Sequence, residues 1–389
     1  MNKTLSPSAA RRLLLLSLSL LLLLVSCISV PEIPDVSTKA SEKTTSAVTA
    51  APPPVLSFDE PDVAAGLFLN DPSGLVDVSK REYSYAELRT DLEALAAAHP
   101  SRFSYRSFGK SVAGRELYVC TLGNPDAQSQ VLVSAGLHGR EYLTPLLVMK
   151  QIEFYLTYYD VGFYGETSYA DLFDSVCFYI VPMNNPDGIM LSQQGISSVT
   201  DPSLRNEVYN IYYSDFQAGL TGQDTIDGYL QYWKANIRGV DLNRNFDALW
   251  EKYFNYSKPS FAQYKGKEPS SEPETRALME LTDSLSNPLA VLCIHSQGEV
   301  LYWNCGQNES LLQDTYDLTQ EIAKLNGYRV IEDKNNDASF SDWCALERDL
   351  IAITVETGSG LCPLDIDKFP PMWLDNYDLF AMTAAYFQK

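Results

Sequence analysis

The chain predicts an α/β sandwich in which helices flank a central twisted, mixed β-sheet, and three observations carry that prediction. Strand-like and helical patterns alternate from about residue 85 to the C-terminus. Two runs, Val131-Leu132-Val133 and Val291-Leu292-Cys293-Ile294, are short and wholly apolar, as buried strands are. His138, His295 and Glu356 all fall at or just beyond the ends of such runs. In α/β sheets, ligands gather at the C-terminal ends of the strands.

The elements follow in order. Ser84-x-x-Glu87 makes a capping box ahead of Leu88, Leu92 and Leu95, so a helix is expected over about 85–98. Residues 116–122 and 130–135 read as strands, 142–159 as a helix and 176–182 as a further strand. Ser271-Glu272-Pro273-Glu274 opens a helix, with proline in its first turn and acids at its positive end. A buried strand over 289–294 and a helix over 311–325 come next. A last strand over 350–355 leads to a helix from roughly residue 372 to the end.

Ahead of this domain the sequence changes character. Lys3, Arg11 and Arg12 precede thirteen apolar or small residues, Leu13 to Val25. That run is short for a membrane span and suits the core of a signal peptide. Leu24-Val25-Ser26-Cys27 ends like a bacterial lipobox, so residues 1–26 are expected to be removed and Cys27 to carry lipid. The mature protein would then be exported to the cell envelope and anchored to a membrane without crossing it. Residues 28 to about 60 are rich in Pro, Ser, Thr and Ala and read as a tether, stiffest at Ala51-Pro52-Pro53-Pro54. Residues 61–78 read as an N-terminal extension that can pack on the domain, and residues 79–389 are expected to form one domain with ample chain for a large core.

Charge and cysteine usage narrow the function classes. Fifty acidic residues stand against 29 basic ones, and no basic stripe is present, which argues against a nucleic-acid partner. A monomer is expected. Six cysteines follow Cys27, and an exported chain could pair them. Cys120, Cys177 and Cys293 lie in apolar strand-like runs, where cysteine often serves as a small hydrophobe. Cys344 and Cys362 flank the last strand and are the first pair to test, although no pairing follows from sequence.

Only three histidines occur, and two lie where a zinc enzyme needs them. His138 and Glu141 form His-x-x-Glu just after one apolar run, and His295 ends another. Two imidazoles and a carboxylate leave the fourth position of a tetrahedral zinc open for water. His99, which precedes Pro100 at the end of the first predicted helix, has no such company.

Further motifs complete a pattern: Asn185-Pro186-Asp187-Gly188, then Gly239-Val240-Asp241-Leu242-Asn243-Arg244-Asn245-Phe246, His295-Ser296, and Thr354-Val355-Glu356-Thr357-Gly358. From about residue 80 to the end, the chain resembles the zinc carboxypeptidases of the carboxypeptidase A superfamily, the M14 type. The resemblance implies a carboxypeptidase-like sandwich and one Zn2+ held by His138, Glu141 and His295. It implies that Glu356, thirteen residues after Trp343, is the general base. Asn243 and Arg244 correspond to the clamp on the substrate's terminal carboxylate, a task suited to arginine's fork. Arg140 is similar to the family's secondary substrate-binding arginine.

Two departures stand out. The family's oxyanion-stabilising arginine lies further upstream, whereas here the segment is compressed to Trp233-Lys234-Ala235-Asn236-Ile237-Arg238-Gly239, which makes Arg238 the candidate. The mobile tyrosine that closes over substrate is missing from its expected loop, residues 332–339. Trp-Lys-Ala-Asn-x-Arg-Gly-Val-Asp-Leu-Asn-Arg-Asn-Phe and the run from His295 to Trp303 resemble the bacterial γ-D-glutamyl-meso-diaminopimelate peptidases of the superfamily. That branch implies hydrolysis of the γ-D-Glu–diaminopimelate bond in peptidoglycan stem peptides. Ser341, at the position that by this resemblance faces the superfamily's specificity pocket, is uncharged and fits a basic-residue carboxypeptidase poorly, although Asp342 adjoins it. Two other readings compete: a general metallocarboxypeptidase acting on L-peptides, and an inactive lipoprotein that binds wall peptides.

Overall fold

A computed structural model of the chain describes residues 61–333 and 337–388. The expected signal peptide, the lipidation site Cys27 and the tether up to residue 60 lie outside the described residues. The strands are β1 (Phe103–Lys110), β2 (Glu116–Leu122), β3 (Ser129–Ala135), a small hairpin β4–β5 (Phe163–Tyr164 and Thr167–Ser168), β6 (Val176–Val181), β7 (Pro288–His295), β8 (Val300–Trp303), β9 (Arg329–Glu332) and β10 (Ile351–Glu356). The helices are α1 (Pro61–Leu69), α2 (Tyr85–Ala98), α3 (Leu143–Thr157), α4 (Tyr169–Ser175), α5 (Pro186–Gln194), α6 (Pro202–Gln217), α7 (Ile226–Leu230), α8 (Pro273–Ser284), α9 (Glu309–Asn326), α10 (Phe340–Glu347), α11 (Phe369–Asn376) and α12 (Leu379–Phe387).

One mixed sheet of eight strands runs in the order β1-β2-β6-β3-β7-β10-β8-β9. Its centre, β6-β3-β7-β10, is parallel, whereas β2, β1 and β8 join antiparallel. Side chains alternate between two covered faces, so the central strands are apolar throughout. Val131, Val133, Ile353 and Val355 pack with the α3, α11 and α12 side. Leu132, Val291, Cys293 and Ala352 pack with Leu278 of α8 and Trp343 of α10 on the other. The parallel register sets Glu356 beside His295 and Ala135 beside Ile294. Three neighbouring strands therefore deliver the candidate residues to one end of the sheet.

The capping box at Ser84 forms as expected, Ser84 Oγ accepting from Glu87 N at 3.2 Å while Glu87 Oε2 accepts from Ser84 N at 2.7 Å. The packed core begins earlier than residue 79. Ala65 and Phe68 are buried, and Phe68 stacks on Trp373 with ring centroids 6.0 Å apart. A buried ion pair on α3, Lys150 Nζ to Glu153 Oε2 at 2.8 Å, fastens the following turn, because Glu153 also accepts from the backbone N–H groups of Leu75 and Val76. The single C-terminal helix expected from residue 372 is instead two. The carbonyls of Asn376 and Tyr377 turn to accept from Gln151 Nε2 at 2.5 Å and Tyr155 Oη at 2.6 Å, and the helix breaks there. Among the described residues the six cysteines are free: Cys344 is sealed in the core, and Cys362 donates to the carbonyl of Arg140 at 3.4 Å. No helix of the described residues is long and apolar enough to cross a membrane.

Candidate active site

The loop after β3 is built for close approach. Gly139 donates to the carbonyl of Lys234 at 3.0 Å, and a Cβ there would fall 2.5 Å from the Gly188 carbonyl and 2.7 Å from that of Trp233. Asn185 bridges the same loops, its Nδ2 donating to the carbonyls of Leu137 at 3.2 Å and Ala235 at 3.0 Å. The Asn-Pro-Asp-Gly motif thus locks the His138 loop against the segment that carries Lys234.

His138, Glu141 and His295 converge and are all buried. His138 Nδ1 lies 2.8 Å from Glu141 Oε1, His295 Nδ1 lies 3.0 Å from Glu141 Oε2, and the two Nδ1 atoms are 3.1 Å apart. Adjacent ligands on a tetrahedral zinc with bonds of about 2.0–2.1 Å stand about 3.3 Å apart, so this donor set fits the ion. Burial pushes the Glu141 carboxyl up, but His138 and His295 overcome it and hold the group well below the usual carboxylate range. His138 Nε2 lies 3.3 Å from Oδ1 of the fully buried Asp241, which sets a carboxylate charge behind the ring.

Glu356, at the end of β10, faces this cluster. Burial pushes its carboxyl up to about 7, with the Glu141 charge adding and His295, Lys234 and Arg140 opposing. Behind it, Thr357 N donates to the carbonyl of His295 at 2.8 Å, fixing both strand ends together. Lys234 Nζ stands 3.6 Å from Asp241 Oδ2 with its side chain 11% exposed.

The Asn-Arg pair lies across the site. Asn243 Oδ1 accepts from Phe340 N at 3.0 Å. Arg244, with its side chain 14% exposed, places Nη2 3.1 Å from Asp337 Oδ2 and its guanidinium 5.3 Å from the ring centre of Tyr253. Its Nε is buried without a hydrogen-bond partner.

Comparison with known proteins bears on this arrangement directly. A family profile described as zinc carboxypeptidase, Peptidase M14, matches residues 88–356, most of the chain. The chain belongs to the zinc carboxypeptidase family. It is 29% identical over 308 residues to gamma-D-glutamyl-L-diamino acid endopeptidase 1 of Lysinibacillus sphaericus, which covers 77% of this chain and 72% of that protein. It is 31% identical over 272 residues to uncharacterized protein YqgT of Bacillus subtilis, covering 68% of each. The fold is similar to that of thrombin activatable fibrinolysis inhibitor, with a TM-score of 0.61, 16% identity, and 82% of this chain and 81% of that one covered. Family membership makes the protein a zinc-dependent metallopeptidase, and the His138–Glu141–His295 cluster is the group that could hold the metal.

The structure brings together His138, Glu141, His295 and Glu356, and it sets Arg140 within electrostatic reach of Glu356. The Arg238 side chain is 49% exposed and pairs with Glu272 Oε2 at 3.6 Å. Asn236 causes this: its Oδ1 accepts from Arg238 N at 3.0 Å and Val240 N at 3.1 Å, closing a tight turn that leaves Lys234 on the cluster's side. Roles for Lys234, Asp241, Tyr253 and Asp337 went unread in the sequence, although Lys234 lies in the compressed segment and Asp241 in the motif that carries Asn243 and Arg244.

The turn itself rests on buried acids. Asn236 Nδ2 donates to Glu272 Oε2 at 2.8 Å and reaches Glu274 Oε2 at 3.4 Å. Burial, with help from the nearby Asp187 charge, pushes the Glu274 carboxyl from 4.5 up to about 8. The folded protein therefore holds a proton that the unfolded chain releases, and stability falls as pH rises between those two values. Glu274→Gln is expected to flatten the decline in Tm between pH 5 and pH 8, measured by calorimetry in parallel with the wild type.

Proposed function

We propose that this metallopeptidase hydrolyses the amide bond between γ-D-glutamate and meso-diaminopimelate in peptidoglycan stem peptides. One observation carries the reading: the fixed constellation of a His138–Glu141–His295 donor set, Glu356 beside it and the buried Arg244 across the site. The similarity to a γ-D-glutamyl-L-diamino acid endopeptidase supports the choice of bond. Zinc held by His138, Glu141 and His295 would lower the pKa of water and polarise the scissile carbonyl. Glu356, raised toward neutrality, takes the proton from the attacking water and returns it to the leaving amine. Arg244, with Asn243, binds the free carboxylate of the leaving residue through its guanidinium, whose Nη2 also reaches Asp337 Oδ2 at 3.1 Å. Lys234 supplies positive charge where oxyanion character develops, and Arg140 faces the substrate beside Glu356. Export and anchorage through Cys27 would place the enzyme among its wall peptides.

Lys234 and Arg238 separate cleanly by experiment. Lys234→Met is expected to lower kcat by about 10²-fold with little change in KM, in line with loss of an oxyanion donor. Arg238→Ala should stay within about threefold of wild type, as exposed pairs contribute little. Steady-state kinetics on one substrate would check both, and the reverse ranking would return the role to Arg238. The choice of bond is tested by comparing kcat/KM for L-Ala-γ-D-Glu-meso-diaminopimelate with that for a blocked L-dipeptide. A preference of about 10²-fold or more for the stem peptide is expected. A preference for the L-dipeptide would favour a general carboxypeptidase.

A further inference from the structure

The carboxylate clamp is already engaged inside the protein. Arg244 Nη2 pairs with Asp337 Oδ2 at 3.1 Å, with the two side chains 14% and 34% exposed. Asp337 is not alone on that side. Asp333 and Asp337 both push up the carboxyl of Asp342, whose burial has already raised it. Asp342 is 1% exposed, and its Oδ1 has no hydrogen-bond partner. Ser341, between them, is neutral and bonds Ser339 Oγ at 3.0 Å and Thr354 Oγ1 at 3.3 Å. This side of the site is therefore bipolar, with one guanidinium set against several carboxylates.

That polarity constrains the leaving residue. A residue that brings only its carboxylate to Arg244 crowds two anions around one guanidinium and leaves Asp337 without a counter-charge in a half-buried place. A diamino acid brings a carboxylate for Arg244 and, on its side chain, an ammonium for Asp337. The α-carboxylate and the ammonium are then paired and neither protein group is stranded, while the second carboxylate that meso-diaminopimelate carries beside its ammonium lies outside this pair. We infer that Asp337 determines specificity by pairing with the side-chain ammonium of a leaving diamino acid when the substrate carboxylate takes its place on Arg244. The inference rests on the assignment of Arg244 as the carboxylate clamp and deepens the proposed function.

The test compares two leaving residues that differ only by the ammonium. The zinc-loaded enzyme is assayed on L-Ala-γ-D-Glu-L-Lys and L-Ala-γ-D-Glu-L-norleucine. The wild type is expected to favour lysine by tenfold or more in kcat/KM. Asp337→Asn should bring that ratio to within about threefold, through a higher KM for the lysine peptide, and Asp337→Glu should restore most of it. Because the readout is a ratio within one protein, partial misfolding of a variant cancels. Equal rates in the wild type, or a ratio unchanged in Asp337→Asn, would overturn the inference. If the γ-D-glutamyl peptides are not cleaved, benzoyl-Gly-L-Lys and benzoyl-Gly-L-norleucine carry the same comparison. An Asp337-dependent preference there would uphold the inference while the proposed bond fails, and its absence would reject both.

Discussion

Replacing Glu356 with glutamine is expected to reduce kcat by at least about 10³-fold while zinc content and fold stay intact, in the range that loss of a positioned general base produces. The amide matches the carboxylate in shape but can neither take the water's proton nor hand one to the leaving amine. Glu356 is not among the three converging donor residues, so the substitution leaves the metal cluster complete. Burial raises this carboxyl to about 7, so the ionised form is held at a cost that the neutral amide avoids. Tm should accordingly hold or rise. Turnover, elemental zinc analysis and circular dichroism together check the result. A metal-replete Glu356→Gln enzyme with near-wild-type turnover would remove Glu356 from the mechanism.

The second large effect is on the metal centre. His295→Ala leaves His138 and Glu141 as a two-ligand remnant, still buried, with the β7 strand end otherwise unchanged. Zinc affinity should fall by several orders of magnitude and activity with it. The stability readout is independent of turnover. A ligand present at about a thousand times its Kd stabilises the folded state by about 4 kcal/mol. Zinc should therefore raise the Tm of the chelated wild type and leave that of His295→Ala unmoved. A zinc-dependent rise of equal size in the variant would mean that the ion binds elsewhere.

The metal cluster and Glu356 were legible in the sequence because His295 and Glu356 end buried strands and the His138–Glu141 motif follows another, and strand ends in such sheets are where ligands collect. The register that makes Glu356 the neighbour of His295 turns that one-dimensional cue into a site. What the sequence hid is of a different kind. Asp241 meets His138 across more than a hundred residues of chain, and no spacing rule reports such a contact. Arg238 was read as the oxyanion candidate with Lys234 left unread, and the Asn236 turn, closed by buried Glu272 and Glu274, holds Arg238 half-exposed against Glu272. Tyr253 reaches Arg244 from a loop with no periodic signal. In the fold, the strands missed were the short or exposed ones, β1, β4, β5, β8 and β9, whose patterns lack a long apolar run. The C-terminal helix was read as continuous because Gln151 and Tyr155, which break it, lie on α3, far away in sequence.

The most direct test of the central claim is mass spectrometry of L-Ala-γ-D-Glu-meso-diaminopimelate incubated with residues 60–389, zinc-loaded in one sample and chelated in the other. Free diaminopimelate released only in the zinc-loaded sample is the predicted result. An intact tripeptide in both samples, from a zinc-replete protein that trims ordinary L-peptides, would contradict the proposed substrate.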